Sequence, residues 1–347
     1  MAFLPEKLRR AISTQLVNAK RRLQLAPHPT PTIALYFADP LADVIGAEIQ
    51  RLTPTVFASA SAAVVIRYGG ARDLAILKRR AFEKIYYVVD DDFFALADDD
   101  GLPRHYRERL LRYRDGPLRP LLEAVTHVVA PSEQILAHYR QKQCLRLDPA
   151  LCHPHASLAH HRENGGLDMV FAATWTHRND LEFMAPAFAE FLRECPGARL
   201  TTFLAGNVPK PLASLANARH LAGLNWKRYR DFVAQHRFHV AVAPALDTAF
   251  NRARSIGRLH DHAGFGAAGI YSAQPPFERI ISHGNSGLLL ANDPQAWLAA
   301  LRDLTVKRQM AERLAVGGQA LSRDLAAKAR VRQFWLRELP IAGKDQG

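Results

Sequence analysis

The stretch from Phe238 to Pro294 constrains this chain most. The apolar run His239 to Ala243 is stopped by Pro244, and the loop Ala245 to Asn251 follows. The spacing then predicts a helix from Arg252 to about Phe265. It carries Arg254, Arg258 and Asp261 at i, i+4 and i+7, on one face. A second apolar run, Ala267 to Ser272, leads to Pro275-Pro276-Phe277, and the stretch closes with Gly284 to Leu290 and Asn292-Asp293-Pro294. Strand, loop, cationic helix, strand is a βαβ unit, and such units bind ligands where loops leave the carboxyl ends of the strands. Free N–H groups at a helix start suit a phosphate. Arg254 and Arg258 add charge and forked donors, and Asp261 can accept from sugar hydroxyls. The plainer reading of the same face is a solvated surface with an Arg258–Asp261 ion pair.

The rest of the chain repeats that alternation. Strands are expected at Thr32 to Phe37, Ala62 to Tyr68, Ile85 to Val89, Ala124 to Ala130, Leu167 to Ala173 and Arg199 to Leu204. Helices are expected at about 41–52, 72–82, 106–113, 133–141, 182–194, 229–236, 294–304, 307–322 and 323–338. Strands alternating with helices argue for parallel α/β sheets. Ser132 reads as a helix N-cap, and so does Asp180. The histidine-, proline- and glycine-containing segment near mid-chain reads as a linker, so two domains of similar size are expected.

Length and charge narrow the function classes. With 347 residues, two domains are favoured over one. A net charge of +13 favours anionic partners: nucleic acid, an acidic lipid surface or phosphorylated small molecules. No helix-turn-helix, RNP aromatic or zinc pattern supports nucleic acid, and no nucleic-acid partner is expected. Three cysteines give no disulfide framework and fit a reducing compartment. Cys152, His153 and His155 with His160 and His161 lack the paired cysteine spacing of a zinc site, so no metal site is expected. No apolar run approaches the length of a membrane span, and no secretory leader is expected. Residues 6 to 25 read as a basic amphipathic helix, suited either to an anionic membrane surface or to docking on the body with a wet basic face. The arginine-rich helix near Arg107, Arg109 and Arg112 is a solvated face or a second contact to phosphates or an anionic acceptor.

The segment Phe250-Asn251-Arg252-Ala253-Arg254-Ser255, with Arg258, Asp261, Pro275-Pro276-Phe277, Gly284, Gly287-Leu288-Leu289 and Asn292-Asp293-Pro294, resembles the donor-binding half of GT-B glycosyltransferases of the bacterial family 4 and family 1-like group. Thr174-Trp175-Thr176-His177-Arg178-Asn179-Asp180-Leu181 resembles the loop of that group in which a basic residue faces donor phosphate, with Thr174 where a glycine is usual. Asp90-Asp91-Asp92-Phe93-Phe94, after a strand, resembles a motif of its N-terminal domain. Many retaining members pair two glutamates eight residues apart. Here Asp261 stands at the second and Ala253 at the first.

The resemblance implies an α/β GT-B fold: two Rossmann-like parallel-sheet domains facing across a cleft, with a C-terminal helix returning to the first domain. The implied divisions are the N-terminal helix (1–30), an acceptor-side domain (31–150), a linker (151–166), a nucleotide-sugar-binding domain (167–322) and a final helix and tail (323–347). It implies metal-independent, retaining transfer of a sugar to a cell-surface glycan or lipid-linked acceptor, at the cytoplasmic face of a membrane. No cofactor is implied beyond the nucleotide sugar. The implied donor-binding residues are Thr174, His177, Arg178, Gly206, Asn207, Asn251, Arg254, Ser255, Arg258 and Asp261, with Arg178 the better phosphate ligand of the pair it forms with His177. Asp90, Asp91 and Asp92 have three readings: acceptor-side groups, one of them a base; a metal-binding Asp-x-Asp as in GT-A enzymes; or a helix cap. The alternative to an enzyme is a non-catalytic scaffold that keeps the fold.

Overall fold

The computed structural model describes residues 31–341 except 98, 100, 101, 103, 151, 152, 154, 155 and 164. The basic helix expected near the N-terminus lies outside these residues, as do Cys152 and His155.

Two six-stranded sheets form the molecule. The first holds β1 (Gln50–Arg51), β2 (Val56–Ala58), β3 (Ala62–Ile66), β4 (Lys84–Val88), β5 (His127–Ala130) and β6 (Gln143–Arg146), in sequential order. From β3 to β6 it is parallel, while β1 and β2 add an antiparallel edge. The second holds β7 (Asp168–Phe171), β8 (Arg199–Thr202), β9 (Ala218–His220), β10 (Val240–Ala243), β11 (Ala268–Ser272) and β12 (Leu288–Leu290). Its order is β12-β11-β10-β7-β8-β9, parallel throughout. Strand order therefore reverses between β7 and β10, and such a switch point opens a crevice at the carboxyl ends of the strands.

Both sheets are buried on two faces, as parallel sheets covered by helices must be. Successive side chains alternate between faces. In β4 and just beyond it, Ile85, Tyr87 and Val89 enter one core and Tyr86 and Val88 the other. In β7, Met169 and Phe171 pack on one side and Val170 on the other.

Three expectations are corrected. Thr32 to Phe37 is helical, an α-turn Pro31–Ile33 continuing into a π-turn Ala34–Ala38. Ile33, Tyr36 and Phe37 are buried, and a short, wholly apolar run reads the same in a buried strand and a buried helix. The helix expected at 41–52 is replaced by turns and the edge strand β1. The helix expected from Arg252 to Phe265 is two pieces, Ala249–Arg252 and α1 (Gly257–Phe265), the latter ended by left-handed Gly266. Arg254 thus sits in the break, with only Arg258 and Asp261 on α1.

The chain returns to the first domain at its end. In α2 (Lys328–Glu338), Trp335 is fully buried in the first domain's core; its indole N–H donates to the Tyr36 carbonyl at 2.6 Å. The Tyr86 hydroxyl lies 3.0 Å from Glu338.

Candidate functional site

A cleft of about 940 Å³ runs between the two sheets, with the switch point of the second sheet in its wall. From the second domain come the turns after β7 and β10 and the start of α1; from the first come Arg67, Asp90, Asp91, His105, Tyr106 and Arg109.

Arg67 organises the first-domain wall, and the sequence reading missed it. It follows β3 with φ at 60°, the left-handed region that a side chain rarely occupies. Its carbonyl accepts from the Tyr87 and Tyr113 hydroxyls at 2.8 and 2.7 Å, and its N–H donates to the Val88 carbonyl. The guanidinium is thereby aimed at the aspartates: Nη1 lies 3.2 Å from Asp90 Oδ1, and Nη2 pairs with Asp91. Asp90 also accepts from the Thr32 hydroxyl at 2.7 Å. Burial raises the Asp90 pKa, more than Arg67 lowers it. Asp91 is also buried, but Arg67 and Arg254 together hold it below the usual carboxylate range.

Asp92 departs from the other two. It accepts from the Phe94 and Ala95 N–H groups at 3.0 and 2.9 Å, pairs with His138 Nε2 at 3.0 Å and does not line the cleft. It is a cap, as one of the three sequence readings had it. Asp90 and Asp92 therefore turn to different partners.

In the second domain, Arg254, Ser255, Arg258, Asp261, Asn251, Thr174, His177 and Asn207 all line the cleft. Arg254 stacks its guanidinium over Phe250 at 5.0 Å and places Nη1 3.7 Å from Asp91 Oδ1. Arg258 is anchored through Nη1 to the Ala172 carbonyl at the end of β7. Burial first, and the nearby Arg254 second, depress its pKa. The Ser255 hydroxyl accepts from Gly257 N–H at 3.3 Å, at the start of α1. Asp261 Oδ1 lies 3.5 Å from Nε2 of the buried linker residue His153, which does not itself line the cleft.

His177 and Asp180 share one side of the turn entering the helix α3 (Arg178–Glu194). His177 Nδ1 and Asp180 Oδ2 are 2.9 Å apart, and Asp180 Oδ1 accepts from Leu246 N–H and Asn251 Nδ2, each at 2.8 Å. Asp180 is thus a brace between the β7 and β10 turns and not the helix cap expected of it. Asn251 is the other half of that brace. Arg178 does not line the cleft: Nε donates to the Asn207 carbonyl at 3.1 Å and Nη1 pairs with Glu182. Helical geometry explains this, since a position next to His177 is rotated by about 100° while one three residues on returns to its face. Gly206 adopts a positive φ of 84° beside the cleft without lining it.

Phe250 and Ala253 cross the domain boundary. Both are buried in the first domain's core, and the Ser132 hydroxyl donates to the Ala253 carbonyl at 2.8 Å. The position of the family's first glutamate is therefore an interface contact that an acid would not fit. Aromatic residues complete the walls. Trp175 of the second domain stacks on His105 of the first at 5.5 Å, and Trp226 and Tyr229 flank the far end. Aromatics in loops and on helix faces carry no spacing signal that would separate them from core residues.

No protein-family profile matches the sequence, and no curated protein does. Solved structures do match the fold. Sucrose-phosphate synthase from Thermosynechococcus elongatus is 14% identical with a TM-score of 0.57, over 80% of this chain and 72% of that one. Anabaena HepE in complex with UDP-glucose is 12% identical with a TM-score of 0.55, over 79% and 78%. The pneumococcal O-GlcNAc transferase GtfA in complex with UDP and GlcNAc is 11% identical with a TM-score of 0.52, over 79% of this chain but 56% of its own. The chain has the GT-B fold of these glycosyltransferases.

Proposed function

We propose that this protein is a glycosyltransferase that moves a sugar from a nucleotide-sugar donor to a hydroxyl acceptor. The observation that carries the reading is the placement of Arg254 and Arg258 together at the switch-point crevice, opposite Asp90 and Asp91 across one cleft. In glycosyl transfer the bond between the anomeric carbon and the diphosphate breaks as the acceptor oxygen attacks. Negative charge then grows on the departing diphosphate, and fixed cations in a partly desolvated cleft stabilise it most. Arg254 and Arg258 are those cations. Asp261 holds a ribose hydroxyl, and the Trp226 and Tyr229 end receives the base. Asp90, with its raised pKa, faces the acceptor side.

The finer reading follows the resemblance. The transfer is metal-independent and retaining, with no cofactor beyond the sugar nucleotide, and serves polysaccharide synthesis on a glycan or lipid-linked acceptor. Arginines on the helix α4 (Arg104–Tyr113), beside the cleft, favour work at the anionic cytoplasmic face of a membrane. No helix among the described residues is long and apolar enough to cross one.

A second reading, a non-catalytic scaffold, is favoured by Ala253 at the glutamate position and by Arg254 already paired with Asp91. Thermal unfolding against nucleoside diphosphates, with and without Mg²⁺ or Mn²⁺, separates the two. A ligand at about 100 times its Kd adds about 2.7 kcal/mol. A shift with one nucleotide and no metal supports the enzyme, as does turnover of its sugar form. A shift that requires metal overturns metal independence, and no shift with any nucleotide favours the scaffold.

A further inference from the structure

The His177 side chain is about nine-tenths buried in the cleft wall, and only one of its two ring nitrogens has a partner among the described residues. Nδ1 faces Asp180, whose carboxylate is held below the usual range; burial opposes this, but the hydrogen bonds from His177, Leu246 and Asn251 outweigh it. An ionised carboxylate only accepts, so the shared proton sits on His177 Nδ1. Burial and the charge of Arg254 lower the imidazole pKa to about 4, so the ring is neutral near pH 7. Nε2 is left as a lone pair with no hydrogen-bond partner among the described residues and almost no exposed surface.

A lone pair cannot serve a phosphate oxygen, which has no proton to offer near neutrality. It suits an O–H donor. Resting on the glycosyl-transfer reading, we propose that His177 Nε2 accepts a hydrogen bond from a carbohydrate hydroxyl bound in the cleft, making His177 a specificity-determining residue and not a diphosphate ligand. The Asp180 brace fixes this polarity, because it ties the ring's other nitrogen to both loops of the switch point. A site that reads a hydroxyl through a buried acceptor discriminates strongly against an analogue lacking it, since the acceptor is then left unpaired. The hydroxyl belongs to the donor sugar or to the acceptor, and the two sources separate by experiment.

The test uses the full chain, with UDP and UDP-glucose or GDP and GDP-mannose, whichever pair stabilises the wild type. His177→Phe keeps the ring but removes both nitrogens; His177→Gln keeps an acceptor. For a donor hydroxyl, His177→Phe weakens the nucleotide sugar at least tenfold, changes the nucleoside diphosphate less than twofold, and His177→Gln recovers part of the loss. For an acceptor hydroxyl, both nucleotide affinities stay, and transfer to p-nitrophenyl glycosides falls with a raised KM for the glycoside. Equal weakening of diphosphate and nucleotide sugar in His177→Gln, with its unfolding midpoint retained, overturns the proposal in favour of a phosphate contact. No change in any of these quantities overturns it too. A wild type that binds neither form of nucleotide removes the glycosyl-transfer reading, and this inference with it.

Discussion

Arg254 reaches out of the second domain and sets its guanidinium 3.7 Å from the carboxylate of Asp91 in the first. Each residue has another partner on its own side: Arg254 lies over Phe250, and Asp91 pairs with Arg67. A row of alternating charge, Arg67–Asp91–Arg254, thus spans the cleft. A diphosphate entering near Arg254 competes with Asp91 for it.

Arg254→Ala and Arg258→Ala each lower kcat/KM for transfer by about 10²-fold, the scale of removing one positioned charge from a developing anion. Arg178→Ala, which deletes an outward-facing side chain paired with Glu182, changes it less than about twofold. Steady-state kinetics on the three variants check the ordering. Equal losses in all three would place Arg178 back at the phosphate.

Arg67→Met leaves Asp90 and Asp91 with too little positive charge in a mostly buried place. Loss of one partner from such a group costs about 3–5 kcal/mol. Adding Asp90→Asn and Asp91→Asn recovers much of that stability, because the charges needing compensation are gone. Chemical denaturation of the single and triple variants measures both steps.

Asp92→Ala costs about 1 kcal/mol, the worth of a lost cap, and leaves nucleotide affinity unchanged. Asp91→Asn alters nucleotide affinity because it frees Arg254. Denaturation and binding measured side by side separate the two neighbours.

Ala253→Glu, which puts a glutamate where the resembled retaining enzymes carry one, lowers stability by more than about 2 kcal/mol, because residue 253 is 1% exposed inside the first domain's core. It is not expected to raise turnover. A stable, more active variant would show that the interface yields to the acid.

His160, His161 and His239 form a cluster with ring centroids 4.2 to 5.4 Å apart, among Asp168, Glu163, Glu312, Arg237 and Arg308. Burial lowers all three pKa values, that of His161 to about 4. The folded state then binds fewer protons than the unfolded chain below pH 6.5, so this stability is present above 6.5 and is lost as pH falls towards 4. Urea midpoints between pH 7.5 and 4.5 should fall in that window, and His161→Asn should flatten the slope.

Strands β3, β4, β5, β7, β8, β10 and β11 were legible as mostly apolar runs, as Val240 to Ala243 before Pro244 shows, while the short or polar strands β1, β2, β6, β9 and β12 were not. Ser132 was legible as a cap because the side chain that bonds Ile135 N–H is local in sequence. Arg67 was not, since its role rests on a left-handed backbone held by two tyrosines 20 and 46 residues away. Of the candidate site, the spacing placed Arg258 and Asp261 on one helix, while Arg254 lines the cleft from the break before that helix. The roles of His177, Asp180 and Asn251 depend on two loops meeting, which spacing does not report.

The Trp335 contact has a consequence for biosynthesis. Domains commonly fold in order as the chain emerges from the ribosome. Here the first domain must wait, because the indole that fills its core beside Tyr36 and Phe37 is made after every strand of both sheets. The second domain has all its strands before residue 291 and can close first. The half of the molecule synthesised first is therefore finished last, with its apolar Tyr36 and Phe37 surface waiting for the tail.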